Sequence, residues 1–505
     1  MKNFYITTPI YYVNDSPHIG HAYTSLCCDY IARFKKLDGF NVRFLTGTDE
    51  HGQKVENAAN VKQIKPKDFV NEVSKNFLKL TNALNLSNTD FIRTTQERHL
   101  KSCEHLWKKL YDNKHIYLDN YSGWYSVRDE AYFQESELID GKAPTGATVE
   151  WVEEPSYFFN LSKWQDKLLE FYNSNPDFIL PLSRRNEVLN FVKGGLKDLS
   201  ISRTSFSWGI KVPNDAKHIM YVWLDALTNY ITYSGYGNNE KDFKKNWPAD
   251  LHVVGKDILR FHAVYWPAFL MAADLPLPKK IFAHGWWTNE GEKISKSLGN
   301  VIDPFKLIEQ YGLDQVRYFL LREVPFGNDG DFSRSHLVQR INSELANNLG
   351  NLVQRVVSFC LKNTMGKVPD HNNEFKKEDL EIIESFETEI SSLRNLMDQQ
   401  KLDESLKEIW IKISKSNKYI DEQAPWNLKN DNAERMNVVL YCLLESIRQI
   451  GILIQPIMPN SANKILDIFG LDASQRFFNK LGSKLLVGTD LIKQDVMFPR
   501  VETNE

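Results

Sequence analysis

The sequence predicts a mixed α/β protein in which a parallel sheet is interrupted by a smaller α+β insertion and followed by an α-helical bundle. Two observations predict the sheet: β-rich runs alternate with helical periodicity near the amino terminus, and the same alternation resumes near residue 218. A third observation, sustained three- and four-residue apolar spacing past about residue 335, predicts the bundle.

The first βαβ unit is expected near the amino terminus. The run "FYITTPIYYV" is rich in β-branched and aromatic residues and predicts a strand. Ser16 and Pro17 have the residue types of a helix N-cap and first helical position, and apolar residues then recur at helical spacing as far as Leu37. The run "NVRFLTG" predicts a second strand, so we expect a parallel pair joined by a right-handed crossover.

Residues 116–217 break this rhythm with short β-like runs, turn residues and one helix at "KWQDKLLEFY", which predicts an inserted domain. The α/β pattern then resumes with the strand "LHVVG", a helix that Pro267 should kink, and the strand "KKIFAHGWW". The predicted divisions are 1–115 and 218–285 for the two halves of the sheet domain, 116–217 for the insertion, 286–340 for a lysine-bearing loop and junction, and 341–505 for the bundle.

Composition restricts the classes of function. The net charge of −3 neither requires nor excludes nucleic acid, because a local basic face is enough to bind phosphates. The five cysteines form no C-x-x-C pair, so neither a zinc knuckle nor a redox dithiol is indicated. The apolar run 263–273 is far shorter than the roughly 20 residues that span a membrane. With no apolar secretory signal either, we expect a cytoplasmic protein without a membrane partner.

Two histidines flank Ile19-Gly20 at the predicted strand–helix junction. His18 and His21 would lie at the sheet edge where open α/β folds bind ligands, and a helix N-terminus attracts phosphate. Gly20 leaves room for a ligand base, and imidazole N–H groups can donate to phosphoryl oxygens as charge builds up. The alternatives are a metal-binding pair, which lacks a third ligand nearby, and two ordinary surface or core histidines.

A second motif is the loop "GEKISKSLGN", residues 291–300. Lys293 and Lys296 lie three apart between Gly291 and Gly299, so they could swing onto a triphosphate and neutralise it. A K-x-x-K pattern alone is more often a solvated surface. Its weight as a phosphate-binding motif comes from its combination with the histidine motif.

The two motifs together resemble those of class I aminoacyl-tRNA synthetases. Further blocks are similar to the methionyl-tRNA synthetase family, and they are "YITTPIYYVNDSPHIGHAYT", "FLTGTDEHGQKV", "GLKDLSISR", "YVWLDALTNYI", "VVGKDILRFHAVYWPAFL", "GWWTNEGEKISKSLGN" and "YIDEQAPW". The resemblance spans about residues 5 to 460. It implies a Rossmann-like, doubly wound parallel-sheet catalytic domain, an inserted connective α+β domain and a C-terminal α-helical anticodon-binding domain.

The resemblance also implies the reaction. L-Methionine would be activated with ATP and Mg²⁺ to methionyl-adenylate and pyrophosphate, and methionine then transferred to the 3′-terminal adenosine of tRNA(Met), including initiator tRNA. Since the substrate carboxylate attacks the α-phosphorus, no enzyme nucleophile is needed, in agreement with the lack of a credible Ser-His-Asp or Cys-His set.

Residue roles follow from the same resemblance. The catalytic residues would be His18 and His21 on the α-phosphoryl transition state and Lys293 and Lys296 on the departing pyrophosphate. The ATP contacts would be Gly20, Gly255, Asp257 and Lys296. The methionine pocket would comprise Ile10, Tyr12, Trp223, Tyr230, His262 and Trp266, with Asp49 on the α-ammonium group. The anticodon contacts would be Asn351, Arg355 and Trp426.

The spacing and types of the residues themselves support part of this assignment of roles. His262 and Trp266 are four apart and share one helix face, and aromatic edges suit a thioether. Asn351 and Arg355 are spaced to share a polar helix face. For each pocket aromatic the alternative is core packing, and for Trp426 it is an apolar plug at a helix end.

Departures from the family pattern refine the prediction. Ile294 stands where many members have Met, a conservative change. The insertion contains no cysteine where many members bind zinc, so we expect no zinc and no other metal ligands in the protein. No appended C-terminal tRNA-binding domain, through which some members dimerise, is present, so a monomer is expected.

Two other functions remain as alternatives: a class I synthetase for another apolar amino acid, and a non-catalytic RNA-binding paralogue. The leucine and valine enzymes usually carry a larger editing insertion, and the cysteine enzymes need zinc-binding thiols. A non-catalytic paralogue should have lost a motif histidine or lysine, and all four are present.

Overall fold

The structure, a computed structural model, describes residues 2–13, 16–129, 131–133, 135–294 and 299–502. Its first region alternates strands and helices. These elements are β1 Asn3–Thr7, β2 Tyr11–Tyr12, α1 Ile19–Leu37, β3 Asn41–Asp49, α2 Gln53–Val61, α3 Pro66–Ala83, β4 Asp90–Arg93 and α4 Glu97–Asp112.

The second region is built mainly from antiparallel strands. Its elements are β5 Ile116–Ser126, β6 Ala131–Phe133, β7 Glu150–Phe159, α5 Gln165–Ser174, β8 Ile179–Leu180, α6 Leu182–Lys193, β9 Leu199–Ser200, β10 Ser202–Arg203, β11 Lys211–Val212 and β12 Asp215–Met220. Strands β6-β5-β7-β9 form one antiparallel sheet and β10-β12-β11 another. Strand β8 lies within the predicted insertion but pairs with the main sheet.

The third region returns to the main sheet and then leaves it. Its elements are α7 Val222–Ser234, α8 Glu240–Asn246, β13 Leu251–Gly255, α9 Trp266–Ala272, β14 Ile281–His284, β15 Trp287–Asn289, β16 Glu292–Lys293, α10 Pro304–Tyr311, α11 Leu313–Arg322 and β17 Gly330–Phe332. The helix expected around Pro267 is present, because a π-helical turn at Phe261–Tyr265 runs directly into α9 with helical backbone at the junction, and Pro267 lies in the first turn of α9.

The main sheet is parallel throughout, with strand order β2-β3-β1-β13-β14-β8 and β4 also paired to β3. The predicted parallel pairing of the first two long strands is confirmed, since β1 pairs with β3 from Asn3–Asn41 to Thr7–Leu45. Because β1 has β3 on one side and β13 on the other, the later strands are added on the opposite side of β1 from the earlier ones, although all of them are parallel. Ligands of open α/β sheets bind at the carboxyl ends of the strands at such a point.

The predicted α-helical region is also confirmed. Its helices are α12 Arg334–Arg340, α13 Asn351–Asn363, α14 Lys377–Ile383, α15 Phe386–Asp398, α16 Leu402–Gln423, α17 Pro425–Asp431, α18 Ala433–Ile454 and α19 Pro459–Asp467, with a π-helical stretch Ile341–Gly350 before α13. Within the described ranges, α18 is the one helix long and apolar enough to cross a membrane, and 94% of its apolar window is buried inside the protein. Such burial is typical of a core helix.

A buried ion pair fixes α1 to the helical region. Arg317 of α11 donates to Asp29 of α1 at 2.7 Å and to the carbonyl oxygens of Leu84, Pro456 and Ile457. Both charged side chains are fully buried. Burial acts to raise the pKa of Asp29, but Arg317, Arg33 and Ser87 outweigh it and lower that pKa. The far half of α1 is thereby held against the segment that joins α18 to α19.

Candidate active site

The two motif histidines cap helix α1. Nδ1 of His18 accepts a hydrogen bond from the Gly20 N–H at 3.1 Å, and Nδ1 of His21 accepts one from the His18 N–H at 3.1 Å. The expectation that Ser16 caps this helix is wrong, because the reciprocal histidine pair satisfies the free N–H groups two residues later.

This cap determines where the imidazole protons lie. Since both Nδ1 atoms accept, the neutral rings of His18 and His21 carry their proton on Nε2. Burial lowers the pKa of His18, and burial together with the adjacent His18 lowers the pKa of His21 further. The ring centroids are 3.9 Å apart. The start of α1 therefore presents two neutral, adjacent Nε2–H donors, an arrangement suited to oxygens that gain negative charge.

Gly20 provides the space for the His18 ring. A Cβ atom on Gly20 would lie 3.0 Å from Cε1 and 3.1 Å from Nδ1 of His18. On the other side of the pair, the Tyr11 and Phe77 rings contact His21 edge-on, with centroids 4.8 and 5.3 Å away. The imidazoles are thus held from both sides.

The ends of β13 and β14 face the same helix. Oγ1 of Thr24 in α1 lies 2.8 Å from Nε2 of His284, the last residue of β14. A Cβ on Gly255, the last residue of β13, would lie 2.5 Å from Oδ1 of Asp257, so only glycine leaves this carboxylate its position. Asp257 Oδ1 also accepts from Trp286 Nε1 at 3.1 Å. The residues Gly255 and Asp257 therefore lie at the carboxyl edge of the sheet, on the side of α1.

The lysine loop is described only in part. Lys293 lies exposed in β16, paired with Thr288 of β15, and its carbonyl accepts from Asn300 Nδ2 at 3.1 Å. Lys296 lies outside the described residues, with the other members of 295–298.

Four of the seven predicted methionine-pocket residues form one cluster, in which Tyr230, His262 and Trp266 are buried and Trp223 is half-buried. The Tyr230 hydroxyl lies 2.7 Å from His262 Nε2, and His262 Nδ1 lies 3.0 Å from the Ile258 carbonyl, so Nδ1 donates to Ile258 and Nε2 accepts from Tyr230. Burial lowers the pKa of His262 to about 4, which keeps this imidazole neutral. Trp266 lies 6.1 Å from Tyr230, and Trp223 lies 6.1 Å from His262 (ring centroids).

The other three predicted pocket residues lie at the end of β3 and beside it. Tyr12 and Asp49 are register partners between β2 and β3, and the Tyr12 hydroxyl donates to the His51 carbonyl at 2.9 Å. Ile10 is half-buried and packs against the same apolar cluster as Trp223. His51 connects the end of β3 to α7, the helix that carries Trp223 and Tyr230, because its Nδ1 lies 2.7 Å from Asp225 of that helix.

Sequence reasoning missed the buried group around Asp225. Oδ2 of Asp225 bonds His51, Oδ1 bonds His99 Nε2 at 2.7 Å, and Cys103 Sγ lies 3.2 Å from the same nitrogen. The one available signal was a histidine two residues after the strand "NVRFLTGTD", at the ligand-binding edge of the sheet.

This group has the residue types of a metal site, and the ligand atoms of His99, Cys103 and Asp225 lie within 4.8 Å of one another. Two tetrahedral zinc ligands at about 2.0 Å from the ion would be about 3.3 Å apart. The 2.7 Å between His99 and Asp225 is instead the length of a hydrogen bond between a ring N–H and a carboxylate.

The predicted anticodon residues lie on one surface of the helical region. Arg355 of α13 lies over the Trp426 ring, 5.4 Å from its centroid, and donates to Asp421 of α16 at 2.7 Å. Trp426 is 42% exposed and Asn351 is exposed one turn before Arg355. An exposed indole with a guanidinium above it can stack with an unpaired base.

Comparison with known families gives two matches. The family described as "tRNA synthetases class I (M)" matches residues 4–148 and 134–357. The family described as "Anticodon binding domain of methionyl tRNA ligase" matches residues 368–505.

Individual relatives agree with the family matches. The chain is 60% identical to a methionine–tRNA ligase of Rickettsia felis over 99% of each chain, and 52% identical to one of Brucella suis over 100% of this chain and 99% of that one. A solved Mycobacterium tuberculosis methionyl-tRNA synthetase in complex with methionyl-adenylate is 50% identical, with a TM-score of 0.96 over 99% of this chain and 100% of that one. The apo form of the Mycobacterium tuberculosis enzyme is 48% identical to this chain, with a TM-score of 0.90 over 99% of each chain.

Proposed function

The chain belongs to the methionyl-tRNA synthetase family of class I, and from this premise we propose that it is a methionine–tRNA ligase that uses ATP. The methionine carboxylate attacks the α-phosphorus of ATP, and the bond to the leaving pyrophosphate breaks. A hydroxyl of the 3′-terminal adenosine of tRNA(Met), initiator tRNA included, then attacks the methionyl carbonyl and AMP leaves. The observation that carries this proposal is the pair of neutral Nε2–H donors at the start of α1.

His18 and His21 donate to the α-phosphoryl oxygens as negative charge develops in the transition state. A donor already oriented by the protein costs no reorganisation at that moment, so its hydrogen bond strengthens mainly in the transition state. Lys293 and Lys296 neutralise the departing pyrophosphate. Gly20, Gly255 and Asp257 contact the nucleotide at the edge of the sheet.

Methionine is selected by the cluster of Trp223, Tyr230, His262 and Trp266 together with Ile10 and Tyr12. The buried, neutral imidazole of His262 and its aromatic neighbours suit an uncharged thioether. Asp49 pairs with the α-ammonium group of the amino acid.

The chain uses its helical region for the tRNA. Asn351, Arg355 and Trp426 contact the anticodon, with Trp426 as a stacking platform. We propose the following division of labour: catalytic halves at 1–115 and 218–285, the connective insertion at 116–217, the lysine loop and junction at 286–340 and the anticodon-binding region at 341–505.

Mg²⁺ enters with the ATP phosphates, because this ion keeps several waters and binds substrate phosphates more readily than all-protein cages. The protein requires no zinc, in line with an insertion that contains no cysteine. It acts in the cytoplasm as a monomer.

Pyrophosphate exchange into ATP, measured with each of the twenty amino acids, tests the first step. We expect exchange with methionine far above all others, and exchange that is absent or matched by another amino acid would refute the proposal. Charging of tRNA(Met) transcripts with wild-type and altered anticodons tests the second step, and equal charging of both would refute anticodon reading.

A further inference from the structure

Two histidines share one buried carboxylate behind the proposed methionine pocket. The side chains of His51, Asp225 and His99 are 7%, 1% and 0% exposed, and each histidine contacts a different oxygen of Asp225 at 2.7 Å. Cys103 packs against His99, and His99 Nδ1 lies 3.1 Å from Thr232 Oγ1. Burial acts to raise the pKa of Asp225, but His51 and His99 together lower it. Asp225 is therefore a carboxylate with both oxygens occupied.

His51 is held at the ligand edge of the sheet on every side but one. Its carbonyl accepts from Tyr12, its ring meets Trp208 edge-on at 5.4 Å between centroids, and Trp208 Nε1 donates to the preceding carbonyl, that of Glu50, at 2.6 Å. The Glu50 side chain is bound by Arg93 at 2.6 Å. Among the residues that the structure describes, nothing bonds to Nε2 of His51.

We propose that His51 is a further methionine-binding residue, whose Nε2 accepts a hydrogen bond from the α-ammonium group, and that Asp225 is its positioning residue. This inference rests on the proposed function and adds a contact beside Asp49, two residues away at the end of β3.

The chemistry follows from the proton on the other ring nitrogen. Asp225 requires a donor, so it fixes a proton on Nδ1 of His51, and in the tautomer that carries only this proton Nε2 is an acceptor. An acceptor nitrogen on a side chain that is only 7% exposed is complementary to an ammonium group. His99 occupies the second oxygen of Asp225, which prevents the carboxylate from rotating away from His51. Trp223, one of the proposed pocket residues, precedes Asp225 by two residues on α7.

Two substitutions of His51 separate its ring nitrogens. In His51→Asn the amide can still donate to Asp225 but is too short to accept from the α-ammonium group. In His51→Gln the longer side chain can place its amide oxygen where Nε2 of the histidine lies. Loss of a hydrogen bond to a charged group predicts that His51→Asn raises the methionine KM in pyrophosphate exchange by about tenfold or more, with the ATP KM unchanged. His51→Gln should recover part of this loss. An unchanged methionine KM in His51→Asn refutes the inference.

A methionine analogue without the amino group, 4-(methylthio)butanoic acid, distinguishes binding from folding. As a competitive inhibitor it lacks the ammonium group, so its Ki should hardly change in His51→Asn while methionine affinity falls. Equal losses for both ligands would mean that His51 only supports the fold, and would overturn the proposal. This comparison still decides the question if His51→Asn is less stable than the unsubstituted protein.

Asp225→Asn tests the positioning role. An amide can donate to Nδ1 and move the imidazole proton to Nε2, which would then face the ammonium group with a donor. We expect a methionine KM increase of similar size, and no further increase when Asp225→Asn is added to His51→Asn. Additive increases would contradict action through His51. His105→Gln, an exposed position six residues after His99 on α4, is the matched control.

Different results would refute the proposed function and the role of His51. If the unsubstituted protein shows no methionine-dependent exchange, the proposed function is wrong. If it is active and His51→Asn behaves like His105→Gln, only the present inference is wrong.

Discussion

Substitution of Gly20 by alanine should slow amino-acid activation without unfolding the protein. The new methyl carbon would lie 3.0 Å from His18 Cε1, closer than ordinary van der Waals contact, so the imidazole must shift by a few tenths of an ångström. For stability the effects are opposed: alanine in a helix gains about 0.5–1 kcal/mol over glycine, and a weakened N-cap costs about 1 kcal/mol. The free energy of unfolding should therefore change by less than about 1 kcal/mol.

The effect of Gly20→Ala on the rate of catalysis is not offset in the way that its effects on stability are. A displaced transition-state donor costs up to about 10²–10³ in kcat, and a partial shift of one of two donors predicts a loss of about 10–100-fold. Pyrophosphate exchange at saturating methionine and ATP measures kcat, and urea unfolding measures stability. Lys36→Ala, at an exposed position of the same helix, is the control. A normal kcat in Gly20→Ala, or a loss that follows the unfolding free energy, would refute the role given to the cap.

Four more predictions follow from named contacts. His21→Ala should lower the exchange rate by at least about 10² and leave methionine binding by calorimetry intact; lost methionine affinity would contradict its role. Arg317→Met should lower the free energy of unfolding by about 3–5 kcal/mol because it leaves three buried carbonyl oxygens without their donor and removes one of the two arginines that pair with buried Asp29. Lys101→Met, which breaks an exposed pair with Glu97, should cost less than about 1 kcal/mol; equal costs in urea would be inconsistent with this account. Trp426→Ala should raise the KM for tRNA about 5–150-fold in aminoacylation and leave tRNA-independent exchange unchanged; a fall in exchange would argue for a structural plug. Folding lowers the pKa of His262 to about 4, so its neutral ring contributes up to about 3 kcal/mol to the free energy of unfolding above about pH 6.5, and this contribution is lost as the pH falls toward 4. His262→Asn should therefore flatten the plot of unfolding free energy against pH between these values. An unchanged slope in this plot would contradict the prediction.

The architecture could be predicted from the sequence because its signals are local. Apolar spacing marked α16 and also α1, which ends at Leu37 where that spacing stops, and β-branched runs marked β1 and β3. The helix start was mistaken because Ser16 is the commoner capping residue, and a reciprocal histidine cap depends on side-chain orientation that residue type does not reveal.

The group around Asp225 could not be predicted for a different reason. Its members come from three elements, separated by 126 residues between His99 and Asp225 and by 174 between His51 and Asp225. Taken alone at its position in the sequence, each of these residues reads as an ordinary core or surface residue. Only the packing of α4 and α7 against the end of β3 brings them together, and no periodicity encodes that packing.

The ion pair between Asp29 and Arg317 also has a consequence during synthesis. Arg317 completes its hydrogen bonds only with the carbonyl of Ile457, which emerges about 430 residues after Asp29. At 5–20 residues per second this interval is roughly 20–90 s. For that time the far half of α1, including the Tyr30 side that later meets Ser405, has no partner from the helical region. During that time Asp29 can pair with Arg33 and Ser87, which are already synthesised, but the apolar side chains beside it lack their cover, and a chaperone that shields this helix would raise the yield of folded enzyme.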